Sequence, residues 1–121
     1  MALEVTWGKC PAYLVDEWCR LLETDLGHMR FNTEGVYVIW QGSQPPTAVK
    51  VGHGRIKDRL AAERTDPRVL EYEMHGLYAT WARVPSAQRE GVVRYLAEAL
   101  KPVIGSELAD VQPVEVNLPE W

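Results

Sequence analysis

The chain has 121 residues, of which 46% are hydrophobic and 25% are charged, and its formal net charge is −4 at pH 7. These values indicate a single globular domain over residues 1–121, and no apolar run reaches the roughly 20 residues that span a bilayer. Glu4 and Lys9 interrupt the pattern of a signal peptide. We therefore expect a cytoplasmic protein without a membrane partner, in which Cys10 and Cys19 are free thiols.

The first predicted element is an amphipathic helix over about residues 11–26. Leu14, Trp18 and Leu21 recur at helical spacing, with charged residues between them. Gly27 supplies a stop signal after the last apolar residue. We expect this N-terminal helix to pack its apolar stripe against the domain.

Two short β-type runs follow, at residues 36–40 and 48–51, separated by a turn that contains two prolines. This pattern predicts an antiparallel hairpin. A helix is predicted next, over about residues 55–64, because Ile56 and Leu60 lie four apart and share one face. Arginines in this helix are expected on its exposed side.

The second half of the chain predicts a third strand over residues 77–84 and a helix from Ser86 to Leu100. Ser86 suits an N-cap, and the helix ends before Pro102. The short C-terminal extension, about residues 103–121, predicts an edge strand around Val116. The fold class is therefore α/β of the α+β type.

Basic residues are concentrated in one part of the chain. Six basic and three acidic residues lie between Lys50 and Arg68, whereas the rest of the chain has seven basic and fourteen acidic residues. A basic island on an acidic body favours an anion-binding face. A solvated helix with mixed charges is the alternative interpretation.

Four motifs occur in a particular order along residues 35 to 105. They are Gly35-Val36-Tyr37, Lys50-Val51-Gly52, Arg59-Leu60 and Leu100-Lys101-Pro102. In this combination the chain resembles the GIY-YIG endonuclease family. The resemblance implies a small antiparallel three-stranded sheet flanked by helices, which hydrolyses DNA phosphodiesters with one divalent ion, Mg²⁺ or Mn²⁺.

The resemblance also implies roles for individual residues. Tyr37 would be the general base and Arg59 would support the scissile phosphate, because a guanidinium matches phosphate oxygens in a bidentate way. The second motif of the family usually begins with tyrosine, where this chain has Lys50. Lys50 would lower the pKa of Tyr37 or hold the attacking water, and His53 would assist proton transfer. A strand-end lysine and a turn histidine are the simpler interpretations.

The metal-binding glutamate of the family would fall at Val93, which cannot bind a metal ion. Glu90 lies one turn earlier on the same helix face and is the candidate ligand; a helix-start acid is the simpler interpretation.

Arg55, Lys57 and Arg64 are the expected nucleic-acid contacts. If the metal ligand is lost, the alternative is a catalytically inactive GIY-YIG-like domain that binds nucleic acid or a protein partner.

Overall fold

The protein is described by a computed structural model over residues 2–105 and 108–121. Strands are β1 (Cys19–Arg20), β2 (Glu34–Gln41), β3 (Thr47–Arg55) and β4 (Leu77–Arg83). Helices are α1 (Ile56–Glu63), α2 (Pro67–Leu70) and α3 (Arg89–Leu100), and short 3₁₀ turns cover Met29–Phe31, Glu73–His75 and Ser86–Gln88.

The strands form one antiparallel sheet in the order β1-β4-β2-β3. The expected antiparallel sheet with helices is confirmed, as is the hairpin of β2 and β3. The prediction of three strands is wrong, because the two-residue strand β1 adds a fourth at the edge of β4. The opposite edge of the sheet is β3.

Side chains alternate between two hydrophobic clusters, one on each face of the sheet, as strand geometry requires. Tyr37 and Ile39 of β2 pack in the cluster that contains residues of α1 and α2. Val36 and Val38 pack in the cluster that contains Val92 and the other buried residues of α3. The sheet is thus covered on both faces by helices.

An irregularity in the hairpin changes which face of the sheet successive side chains of β3 occupy. Ile39 pairs with Lys50 but Trp40 pairs with Ala48, which leaves Val49 as an extra residue. Val49 belongs to the α1 face and Val51 to the α3 face. Lys50 faces the same side as Tyr37 because it pairs with Ile39 in the regular part of the ladder, and the β-bulge places Val49 on that side as well.

The helix predicted over residues 11–26 is wrong. Cys10 and Cys19 form a disulfide, so the prediction of free thiols is wrong as well. Between them the chain forms a loop whose base is an antiparallel bridge, in which the N–H and C=O groups of Cys10 and Glu17 exchange two 2.8 Å hydrogen bonds. The apolar side chains that were expected on one buried stripe differ in exposure. Leu14 is 85% exposed, whereas Leu21 is 1% exposed.

The C-terminal extension also differs from its prediction. Val116 makes only an isolated parallel bridge with Leu3, so the expected edge strand is wrong. The tail is held by other contacts: the Asn117 side chain bonds the backbone of Val5 through both its oxygen and its nitrogen, and the Trp121 ring stacks on another tryptophan with centroids 4.6 Å apart.

The last helix begins later than Ser86. Residues Ser86–Gln88 form a 3₁₀ turn, and α3 starts at Arg89 without a side-chain cap. Lys101, in the left-handed conformation, ends the helix immediately before Pro102. Within the part of the chain that the structure describes, no helix is long and apolar enough to cross a bilayer.

Candidate functional site

A cavity of about 740 Å³ lies at the edge strand β3. It is lined by residues of β2 and β3, of all three helices and of the loop after α3. The five side chains that the sequence predicted for catalysis and metal binding all line it: Tyr37, Lys50, His53, Arg59 and Glu90.

Tyr37 is fully buried, and its hydroxyl donates a 2.9 Å hydrogen bond to Oε2 of Glu63. Its strand partner is Gly52, and a Cβ atom at Gly52 would lie 2.5 Å from the phenol oxygen. The second motif therefore needs glycine because the tyrosine side chain crosses over it. Burial raises the pKa of the Tyr37 phenol, and the neighbouring Glu63 carboxylate raises this pKa further.

Lys50 is part of the same network. Its ammonium group lies 3.0 Å from Oε1 of Glu63 and 3.7 Å from Oδ2 of Asp66. Because Glu63 lies between Lys50 and the phenol, the prediction that Lys50 lowers the pKa of Tyr37 is wrong. Lys50 instead pairs with the carboxylate that accepts the hydrogen bond of the tyrosine hydroxyl.

Asp66 links this network to α2. Its side chain accepts a 2.9 Å hydrogen bond from the backbone N–H of Arg68, which caps the helix. It also forms a 3.0 Å ion pair with the Arg68 guanidinium. That guanidinium and the backbone N–H hold the pKa of Asp66 below its usual value. Arg68 also lines the cavity and adds a cation that the sequence argument did not name.

Arg59 reaches the cavity from the first half of α1. Its side chain passes close to Gly54, where a Cβ atom would lie 3.2 Å from the arginine Cγ. Gly54 also has a φ of 134°, which favours glycine. Among the described residues, Arg59 forms no ion pair, so its guanidinium can receive an anion.

Glu90 and Val93 line the cavity from α3. Tyr37 belongs to the opposite face of the sheet, so the cavity extends around the edge strand. The oxygens of Glu63 and Asp66 already accept from Tyr37, Lys50 and Arg68. No group of three potential metal ligands occurs within residues 2–105 and 108–121.

Among the described residues that line the cavity, Glu90 has the one carboxylate that could bind a metal ion. A single carboxylate suits a hydrated Mg²⁺ or Mn²⁺ ion whose other ligands are water and substrate phosphate.

The three predicted nucleic-acid contacts separate in the structure. Arg55 and Lys57 line a second cavity, of about 730 Å³, whereas Arg59 lines the first. Arg64 lines neither cavity, because its guanidinium donates to the carbonyl oxygens of Leu21 and Thr24. The contact of Arg64 with nucleic acid stays a prediction; in the structure its guanidinium fastens the N-terminal segment to the end of α1.

Glu63 is the main residue that the sequence argument missed. It is 4% exposed, and it lies three residues after Leu60 and seven after Ile56, on the buried stripe of α1. A buried acid needs a partner for its charge. The position of Glu63 on the apolar stripe could therefore have marked it as part of a buried polar network. Arg83 and Arg89, which line the second cavity, carried no comparable signal.

The chain was compared with models of protein families, with curated proteins and with solved structures, and none of the three comparisons gave a match.

Proposed function

We propose that this chain is a GIY-YIG-like nuclease domain of the cytoplasm, which hydrolyses DNA phosphodiesters with one Mg²⁺ or Mn²⁺ ion. The observation that supports the proposal is the convergence of Tyr37, Lys50, His53, Arg59 and Glu90 on one cavity. These residues come from four different elements, so their meeting does not follow from closeness in sequence.

Cationic side chains supply the phosphate-binding part of the proposed site. Arg59 contributes a guanidinium that matches two phosphate oxygens. Arg68 lines the same cavity, with its charge partly offset by Asp66. Together they would hold the scissile phosphate against the tyrosine and stabilise the charge that builds up on it.

The raised pKa of Tyr37 constrains how it acts. The phenol keeps its proton at neutral pH, so it cannot serve as a free phenolate base. In this proposal the phenol oxygen takes a proton from the attacking water while its own proton passes to Glu63, across the 2.9 Å hydrogen bond. The resulting hydroxide attacks phosphorus, and His53 gives a proton to the leaving oxygen.

Glu90 would hold the metal ion together with the substrate phosphate. When bound, the ion would offset negative charge on the phosphate and the leaving oxygen. Glu90 is the acid of α3 that lines the cavity, which supports this assignment.

The test is nicking of supercoiled plasmid by the purified chain with Mg²⁺ or Mn²⁺. Tyr37→Phe removes the oxygen that relays the proton and is expected to slow nicking by about 100-fold or more. Tyr13→Phe changes a tyrosine that is 96% exposed and is the matched control. Nicking at the full rate by Tyr37→Phe would overturn the assignment of this residue.

A second candidate function is the catalytically inactive version of the domain, which binds nucleic acid. It is favoured by the apolar Val93 at the family's metal position and by the engaged oxygens of Glu63 and Asp66. This version is expected to bind DNA in the presence of EDTA, with an affinity that falls steeply with salt, and to leave plasmid intact with every divalent ion. Metal-dependent nicking that Tyr37→Phe abolishes would exclude it.

A further inference from the structure

The second cavity lies at one end of the sheet and is lined by several cationic side chains. Arg55 ends β3, Lys57 lies in the first turn of α1, Arg83 ends β4 and Arg89 begins α3. Among the described residues that line this cavity, Glu34, at the start of β2, is the only acid. The lining of this cavity, which we call the strand-end groove, therefore carries four cationic side chains against one anionic side chain.

Two of these arginines are fixed in orientation. Arg89 is only 17% exposed, and it donates from Nε to the carbonyl oxygen of Val84 at 2.8 Å. Its Nη1 lies 3.3 Å from Glu34, a carboxylate that is itself 57% exposed. Within residues 2–105 and 108–121, Arg83 donates only from Nε, to the hydroxyl of Thr33 at 3.1 Å. Because these bonds are made near the base of each guanidinium, the outer N–H groups of Arg83 keep the geometry that binds phosphate oxygens.

The start of α1 lies between the groove and the first cavity. Lys57 lines the groove and Arg59 lines the first cavity. They are two residues apart, and side chains at this spacing project to different sides of a helix, so the start of α1 separates the groove from the first cavity. At the end of β3, His53 likewise lines the first cavity and Arg55 lines the groove. One strand that crosses the start of α1 would therefore meet both cavities.

We propose that the strand-end groove binds the backbone phosphates that flank the phosphodiester held in the first cavity. This inference rests on the proposed function and extends it by assigning Arg83 and Arg89, with Arg55 and Lys57, to the flanking strand. Contacts of this kind go to phosphates, so they position the nucleic acid without reading its sequence.

The test compares two double variants that each remove one lysine and one arginine. Lys57→Gln with Arg83→Gln alters the groove at two exposed side chains that form no ion pair with other described residues. Arg20→Gln with Lys101→Gln makes the same change in charge at exposed positions that line neither the groove nor the first cavity. Binding of fluorescent duplex DNA is measured by anisotropy in EDTA at several salt concentrations, and circular dichroism checks that each variant is folded.

The groove variant is expected to bind DNA at least 10-fold more weakly at low salt. The slope of log affinity against log salt concentration is expected to become shallower by about 2, one for each lost phosphate contact. The control variant is expected to bind like the wild type. Equal binding by both variants, or an equal loss in both, would overturn the inference. Neither result would affect the proposed function, which depends on nicking by wild type and Tyr37→Phe, whereas a wild-type chain that binds no DNA would overturn both.

Discussion

Tyr37 and Glu63 are 26 residues apart in the chain, and their side chains meet in a 2.9 Å hydrogen bond in the core of the domain. The same carboxylate accepts from Lys50 at 3.0 Å. Glu63 thus joins the first strand of the hairpin, the second strand and the end of α1 through one side chain. We therefore expect Glu63 to stabilise the fold. In the proposed reaction it is also the proton acceptor.

Replacement of Glu63 by glutamine is expected to lower the free energy of unfolding by about 2 to 4 kcal/mol. The neutral amide can still form hydrogen bonds with Tyr37 and Lys50, but it carries no negative charge, so the lysine ammonium loses its nearest ion-pair partner. Glu4→Gln, at an exposed glutamate, is the control and is expected to change the stability by less than about 0.5 kcal/mol. Urea denaturation measures both variants; equal stabilities would show that the network contributes nothing to folding.

Alkaline pH is expected to destabilise the protein through Tyr37. The pKa of this phenol is raised above the ordinary value of 10.0 in the folded state. Below about pH 10 both the folded and the unfolded chain keep the proton; above it, the unfolded chain loses the proton first, so the stability falls as the pH rises. Tyr37→Phe is expected to lose stability less steeply between pH 10 and 11. Parallel urea curves for wild type and variant across this range would contradict the raised pKa.

Val93→Glu would place a carboxylate where the resemblance to the GIY-YIG family implies a metal ligand. It lies three residues after Glu90, on the same side of α3, and both line the cavity. We expect Mn²⁺ to bind at least 10-fold more tightly, because a second carboxylate adds negative charge to the site. Val93→Gln has a similar shape without the charge and is the control. Titration calorimetry that gives the same Mn²⁺ affinity for both variants would show that this wall of the cavity is not near a metal position.

The disulfide between Cys10 and Cys19 is expected to stabilise the domain by about 2 to 3 kcal/mol, from the loop that it closes in the unfolded chain. Reduction with dithiothreitol should lower the stability of the wild type by this amount and leave the Cys10→Ser, Cys19→Ser double variant unchanged. Urea curves with and without the reductant measure this difference. Quantification of free thiols in the protein as isolated tests the disulfide itself, since a cytoplasmic location would favour the reduced form.

The central part of the fold could be predicted from the sequence because its patterns are regular. The hairpin, α1 and β4 have apolar residues at the spacing of strands and helices, and the structure places them within a few residues of the expected bounds. The resemblance to the GIY-YIG family implied that Tyr37 and Arg59 belong to one site, and both residues line the same cavity.

The N-terminal segment could not be predicted in the same way. Leu14, Trp18 and Leu21 have helical spacing, but local spacing carries no information about a bond between Cys10 and Cys19. That bond and the bridge from Cys10 to Glu17 hold the segment as a loop instead. The groove was missed for a related reason: Arg55, Lys57, Arg83 and Arg89 are brought together only by the register of β2 with its neighbours and the start of α3.

The covalent link at the base of the N-terminal loop has a practical consequence for proteolysis. Tyr13 is 96% exposed and Leu14 is 85% exposed, which makes this loop a good substrate for chymotrypsin. A cut after either residue falls inside the ring closed by Cys10 and Cys19. The two fragments would therefore stay together on a non-reducing gel and separate only after reduction, so that clipped and intact protein would look alike until the reductant is added.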